Sequence, residues 1–226
     1  MALARTADRA ARVPSDEERH RAEEVLARLE SEYPDARIAL EYVDDFQLLV
    51  SVILSAQTTD VQVNKVTKDL FAKYPTVEAV ASADPEEFQQ AIRSTGFFRN
   101  KQKNVQGAAR MILEEYGGKV PDTMEDLLRL PGVARKTANI VLGNAFDKVE
   151  GIAVDTHVFR LAHRLGFSTE KNPDKVERDL MALFPKDMWF RSTYLLIEHG
   201  RAVCDAKKPR CDECVLADLC PSAFSP

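Results

Sequence analysis

Leu130-Pro131-Gly132-Val133-Ala134-Arg135-Lys136-Thr137-Ala138 joins the end of one helical pattern to the start of another. Upstream, Leu127, Leu128 and Leu130 belong to a short helix that Thr123 can cap. Pro131-Gly132 is a turn signal. Downstream, Arg135 to Phe146 reads as a second helix, with Ala138, Val141, Leu142 and Ala145 on one face. A glycine hairpin ahead of a helix N-terminus aims several backbone N–H groups one way. Those donors and the helix dipole suit a phosphate. Here they would come from Gly132, Val133, Ala134 and Arg135, and they would hold a nucleic-acid backbone without reading its sequence. The same residues also read as an ordinary αα-hairpin in a helical bundle.

Lys136 falls in the first turn of the second helix, where a cation opposes the dipole. A purely structural lysine is better placed at the other end. An amine attacks carbon only after losing its proton, and reaching that state near pH 8 costs an ordinary lysine roughly 3 kcal/mol. The dipole offers about 0.3–1 kcal/mol, up to about 2 when partly buried. Desolvation and the neighbouring Arg135 must supply the rest. The bland alternative is an exposed lysine that touches phosphate.

Working outward, Ile152-Ala153-Val154-Asp155-Thr156-His157 leads into Val158, Leu161, Ala162 and Leu165, an amphipathic helix. Asp155 fits its N-cap. The apolar lead-in half-buries the carboxylate, which could stabilise positive charge on a sugar or accept a proton. His157 reads as a structural hydrogen-bonder and Trp189 as core.

Four cysteines, the only ones in the chain, follow as Cys204-x6-Cys211-x2-Cys214-x5-Cys220. Two disulfides are one reading, disfavoured if the chain is intracellular. A zinc site with four thiolates is a second. A [4Fe–4S] cluster also takes four thiolates, and spacing does not separate it from zinc. Either closed site would hold Lys207, Lys208 and Arg210 on a rigid loop facing phosphate.

The net charge of −5 argues mildly against nucleic acid as a partner. Phosphates respond to charge within about 8–10 Å, however, so local clusters decide. Three are basic: Arg99, Lys101 and Lys103; Arg135 and Lys136; Lys207, Lys208 and Arg210. Met1 to Ala11 lack a long apolar stretch, and Phe46 to Ala56 is too short to span a bilayer and reads as a buried helix. The expectation is a cytoplasmic protein of a prokaryote-like cell, nucleoid-associated, monomeric and without a membrane partner.

Helix signals recur while strand signals are scarce. Asp84-Pro85-Glu86-Glu87 supplies a cap, a proline at the first position and a glutamate at the third, with Gly96 as a stop. Asn172-Pro173 opens another helix; residues 23–29 and 105–112 are amphipathic; residues 1 to about 15 lack periodicity. The chain is expected to be all-α, with about ten helices.

With these motifs in order, the chain resembles the endonuclease III family of DNA repair glycosylases, from about Glu23 to Cys220. The cysteine spacing matches the family's [4Fe–4S] pattern, and the resemblance chooses iron–sulfur over zinc. It implies Lys136 as the nucleophile and Asp155 as the essential carboxylate. In Leu54-Ser55-Ala56-Gln57-Thr58-Thr59-Asp60 it implies that Gln57 fills the gap left by a flipped base. Phe97, in the loop from Gly96 to Lys101 that wedges into the duplex, stands where leucine is frequent. Ala134 stands where glycine is common, and a Cβ there restricts positive φ and close phosphate approach.

The implied fold has two helical domains: a six-helix barrel carrying the helix–hairpin–helix over 36–149, and an iron–sulfur domain from 1–35 and 150–226, with the active site in a cleft between them. The implied activity is a bifunctional DNA glycosylase and abasic-site lyase acting on oxidised pyrimidines in duplex DNA. Adenine-specific relatives lack the lysine and carry a further C-terminal domain for which this chain has no room. A non-catalytic zinc module that binds DNA is the alternative from another class.

Overall fold

The computed structural model describes residues 13–225, and residues 1–12, which include most of the stretch read as aperiodic, lie outside that range. Eleven α-helices and three short 3-10 turns account for the regular structure of the described residues, without a strand. They group into two compact units, one of residues 38–153 and one that joins 13–37 to 154–225.

The unit of residues 38–153 holds α2 (Asp45–Leu54), α3 (Asp60–Lys73), α4 (Val77–Ser82), α5 (Pro85–Ala91), α6 (Phe98–Tyr116), α7 (Met124–Arg129) and α8 (Arg135–Ala145). α2 is nearly all apolar, and eight of its ten residues are buried, as befits a helix packed on several sides. α6 buries Val105, Ala108, Ala109 and Ile112 from one face, and α8 buries Ala138, Val141 and Leu142. Leu48, Leu49, Leu54, Phe88, Ile92, Leu127 and Leu130 complete the core between them.

The caps follow the sequence. Asp84 accepts from the Glu86 and Glu87 amides with Pro85 behind it, and Thr123 accepts from the Asp126 amide. After α5 the chain makes a 3-10 turn (Arg93–Thr95) and reverses at Gly96, whose φ of 68° suits glycine.

The second unit contains α1 (Asp16–Glu32), α9 (Thr156–Arg164), α10 (Pro173–Leu183) and α11 (Trp189–Ala202). Ser15 and Glu18 close a capping box at the start of α1, so this helix begins a full two turns before the amphipathic run that identifies it. Asn172 caps α10, with Pro173 in its first turn. Arginines then tie N-terminal to C-terminal segments. Arg21 donates to the Leu165 and Leu219 carbonyls, and Arg28 to Val215 O and Asp218. Arg191 pairs with Glu30 and reaches the carbonyls of Tyr33, Pro34 and Ala36.

Candidate nucleic-acid interface and metal centre

The hairpin is held by close packing. Gly132 has φ 81°, and a Cβ there would lie 2.7 Å from Asn104 Cβ on α6. One residue type fits both demands. Gly107, also on α6, leaves room for the ring of Pro131, which a Cβ would approach to 3.2 Å. Gly132→Ala is therefore expected to cost about 2–4 kcal/mol, from the left-handed backbone and the clash together. Gly117 supplies the control: its φ is 60°, and a Cβ added there would meet nothing within 4 Å. Thermal melts of Gly132→Ala and Gly117→Ala should differ by the clash alone; equal losses would remove the packing argument.

Val133 is buried and its amide donates to Leu130 O at 3.1 Å, so this N–H closes the turn and is not offered to phosphate. That corrects the expectation for Val133. Ala134 is the N-cap of α8 at φ −103°, ψ 172°, an extended conformation open to any residue, so the missing glycine carries no backbone penalty. The Ala134 side chain makes no cap bond, and no acidic residue stands in the first turn. The N-terminus of α8 thus lacks the internal anion that most helix starts carry. Lys136 is exposed at its second position, and Arg135 reaches Glu150 O at 3.5 Å.

Gln57 and Phe97 are both exposed, and both adopt left-handed backbone conformations, at φ 55° and 47°. Such conformations cost a non-glycine residue about 1–2 kcal/mol each. Phe97 is 65% exposed at the N-cap of α6 and makes no cap bond. Two strained, exposed residues thus stand on neighbouring turns, joined by the Thr58 Oγ1 bond to Thr95 O.

Lys101 is not part of a basic surface cluster, contrary to the sequence expectation. It is 4% exposed. Its Nζ donates to Leu54 O at 2.8 Å, Thr58 Oγ1 at 2.8 Å and Thr95 O at 2.7 Å. An ammonium has three hydrogens, and all are used. Burial pushes its pKa down to about 8, while three acceptors favour the charged form. Arg99 stays exposed, its guanidinium 5.3 Å from the Phe98 ring centre.

In the second unit, Asp155 caps α9. Its Oδ1 accepts from the His157 and Val158 amides, each at 2.8 Å, and the residue is half-buried. His157 Nδ1 meets Arg160 Nη2 at 3.2 Å, a structural contact, and burial lowers its pKa. Trp189 is only partly buried and donates to Phe184 O.

Cys204, Cys211, Cys214 and Cys220 line one pocket whose other walls include Leu161, Leu165, Val203, Pro209, Leu216 and Ala217. All four are free thiols, so the disulfide alternative has no support in the structure. Burial pushes the Cys214 and Cys220 thiols up, and the neighbouring cysteines add to the effect. Four thiolates so placed need bound cations. A single zinc at about 2.3 Å from each sulfur would draw the sulfurs to about 4 Å from one another. Four thiols among apolar walls fit either a zinc ion or an iron–sulfur cluster.

Arg160 and Arg164 do not stand out in the sequence, yet both are central here. Arg160 donates to Gly200 O and Cys204 O, and Arg164 to Asp205 O, Ala206 O and Cys204 Sγ. A signal for them exists: both stand one and two turns beyond Asp155–Thr156 on the same face of α9. Lys207 and Lys208 are exposed, and their amides donate to Asp205 Oδ1, which fixes the loop. Arg210 pairs with Glu213 at 2.7 Å and also bonds Ala202 O, so its charge is partly neutralised locally.

Residues 50–186 match the model of the HhH-GPD superfamily of base excision DNA repair proteins, and residues 204–220 match the iron–sulfur binding domain of endonuclease III. Endonuclease III of Synechocystis sp. is 55% identical over 205 residues, covering 91% of this chain and 94% of its own. A solved non-covalent endonuclease III–DNA complex and a trapped covalent endonuclease III–DNA intermediate each superpose with a TM-score of 0.87 at 42% identity, covering 91% of this chain and 96% of theirs. This chain belongs to the endonuclease III family, within the HhH-GPD superfamily of base excision DNA repair proteins.

Proposed function

We propose that this protein is a DNA glycosylase and abasic-site lyase that removes oxidised pyrimidines from duplex DNA. The observation that carries the reading is Lys136, an exposed amine in the first turn of a helix whose N-terminus has no side-chain cap, behind a hairpin that Gly132 locks to α6. The damaged nucleotide leaves the stack. Deprotonated Lys136 Nζ bonds to C1′ of the deoxyribose, and the bond to the base breaks with its electron pair leaving on the base. Opening of the sugar ring gives an imine. Loss of a 2′ proton then expels the 3′ phosphate, which cuts the strand. Asp155 stabilises the cationic sugar and assists the proton transfers. Gln57 and Phe97 fill the vacated space.

The amides at Gly132 and Ala134, with Arg99, Arg135, Lys207, Lys208 and Arg210, hold phosphates. Cys204, Cys211, Cys214 and Cys220 hold a [4Fe–4S] cluster. This choice is supported by four thiols lining one pocket and by the likeness of residues 204–220 to the iron–sulfur binding domain of endonuclease III. The cluster's part is to fix the loop that carries Lys207 and Lys208. No helix among the described residues is long and apolar enough to cross a membrane. The working form is a monomer on nucleoid DNA in the cytoplasm.

Borohydride trapping on duplex DNA with one thymine glycol tests the reading. The expected result is a stable covalent complex on the lesion strand and none on intact thymine. Tight lesion binding without a complex would remove the lyase step.

A further inference from the structure

Lys101 is the one buried ammonium of the 38–153 unit that the chemistry above leaves without a task. Its place is specific. Leu54 O is the last carbonyl of α2, and Thr95 O is the last of the 3-10 turn before Gly96. Helix C-termini leave such carbonyls without internal donors, and a cation there is favoured by the dipole. Gln57 lies between Leu54 and Thr58, and both accept from Lys101 Nζ. Phe97 lies between Thr95, which also accepts from Nζ, and the Lys101 amide, which donates to Phe97 O at 3.1 Å. Thr58 Oγ1 in turn donates to Thr95 O, and Gln62 Nε2 donates to Ser94 Oγ at 2.8 Å across the same gap. One ammonium therefore brackets both strained residues.

We propose that Lys101 is a positioning residue for base extrusion: it locks the Gln57 and Phe97 turns to each other, so that the two exposed side chains enter the duplex as one rigid wedge. The inference rests on the glycosylase reading of the site. A wedge does work on a base stack only if its backbone does not yield. Each turn alone is strained, and each would relax without a shared anchor. Removing the ammonium leaves the Leu54 carbonyl without its Lys101 donor, takes one of two donors from Thr95 O, and leaves the turns joined only by the Thr58–Thr95 and Gln62–Ser94 hydrogen bonds.

The test uses the full chain and duplex DNA carrying thymine glycol beside 2-aminopurine, whose fluorescence rises as stacking is lost. Lys101→Met is expected to slow that rise by between about tenfold and a hundredfold. Affinity for undamaged duplex should not change, because Lys101 touches no phosphate. Adding Phe97→Ala to Lys101→Met should cost less than Phe97→Ala costs alone, since both act on one wedge. Extrusion at the normal rate, a parallel loss of affinity for undamaged duplex, or additive losses would each overturn the proposal. If Lys101→Met does not fold, Thr58→Val removes the hydroxyl joining the turns at nearly constant volume, and the same split decides. An unsubstituted protein that neither forms a borohydride-trapped adduct nor releases the damaged base would instead overturn the glycosylase reading itself, and this inference with it.

Discussion

Lys136→Gln should abolish borohydride trapping and strand cleavage, with a loss of about four orders of magnitude or more, as for other nucleophiles removed from covalent catalysts. Glutamine is one bond shorter and still hydrogen-bonds, but its amide nitrogen has no lone pair able to form an imine. Lys136 is exposed in the first turn of α8, so the fold does not depend on it. Removing a cation from a helix N-terminus is neutral or slightly favourable. Melting should therefore hold or rise a little while chemistry disappears, and lesion binding should persist. The other lysine close to the working turns cannot substitute: Lys101 has all three hydrogens committed to acceptors. Trapping retained in Lys136→Gln would place the nucleophile elsewhere in the chain.

What the sequence reveals and what it hides have separate physical causes. Helix starts are legible wherever a short polar side chain precedes an apolar period, as at Asp84, Thr123, Asp155 and Asn172, because capping is local chemistry. The hairpin is legible for the same reason. The left-handed backbones of Gln57 and Phe97 are not, since no local preference drives either residue there and tertiary bonds impose it. Lys101 reads wrongly as surface charge because its neighbours Arg99 and Lys103 are exposed and basic. Helix phase holds the correction: residues 101, 105, 108, 109 and 112 share the buried face of α6, so extending the apolar period of 105–112 back one turn lands on Lys101. The penalty expected at Ala134 likewise assumes a backbone angle, and an extended φ cancels it.

Cys214→Ser should cost the protein its cofactor and, with it, the order of the segment that presents Lys207 and Lys208. Residues 204–220 contain only one 3-10 turn, Cys211–Glu213, as regular structure. Leu216 is fully buried, and Arg28 and Arg21 hold the Val215 and Leu219 carbonyls. Those contacts, with the Arg160 and Arg164 bonds to residues 204–206, must otherwise offset the backbone entropy of ordering the loop, at about 1–2 kcal/mol per residue. Ligation couples such a loop to its cofactor, so loss of one thiolate unfolds it locally. The purified protein should be yellow-brown, with iron near about four per chain. The variant should be pale and low in iron, and open to trypsin after Lys207 and Arg210. The helices of the 38–153 unit have their own core and should persist in circular dichroism. Duplex affinity should fall with a shallower salt dependence, because fewer phosphates are neutralised. A variant that keeps its colour and iron would remove Cys214 from the ligand set, and stoichiometric zinc in the unsubstituted protein would replace the cluster with a single ion.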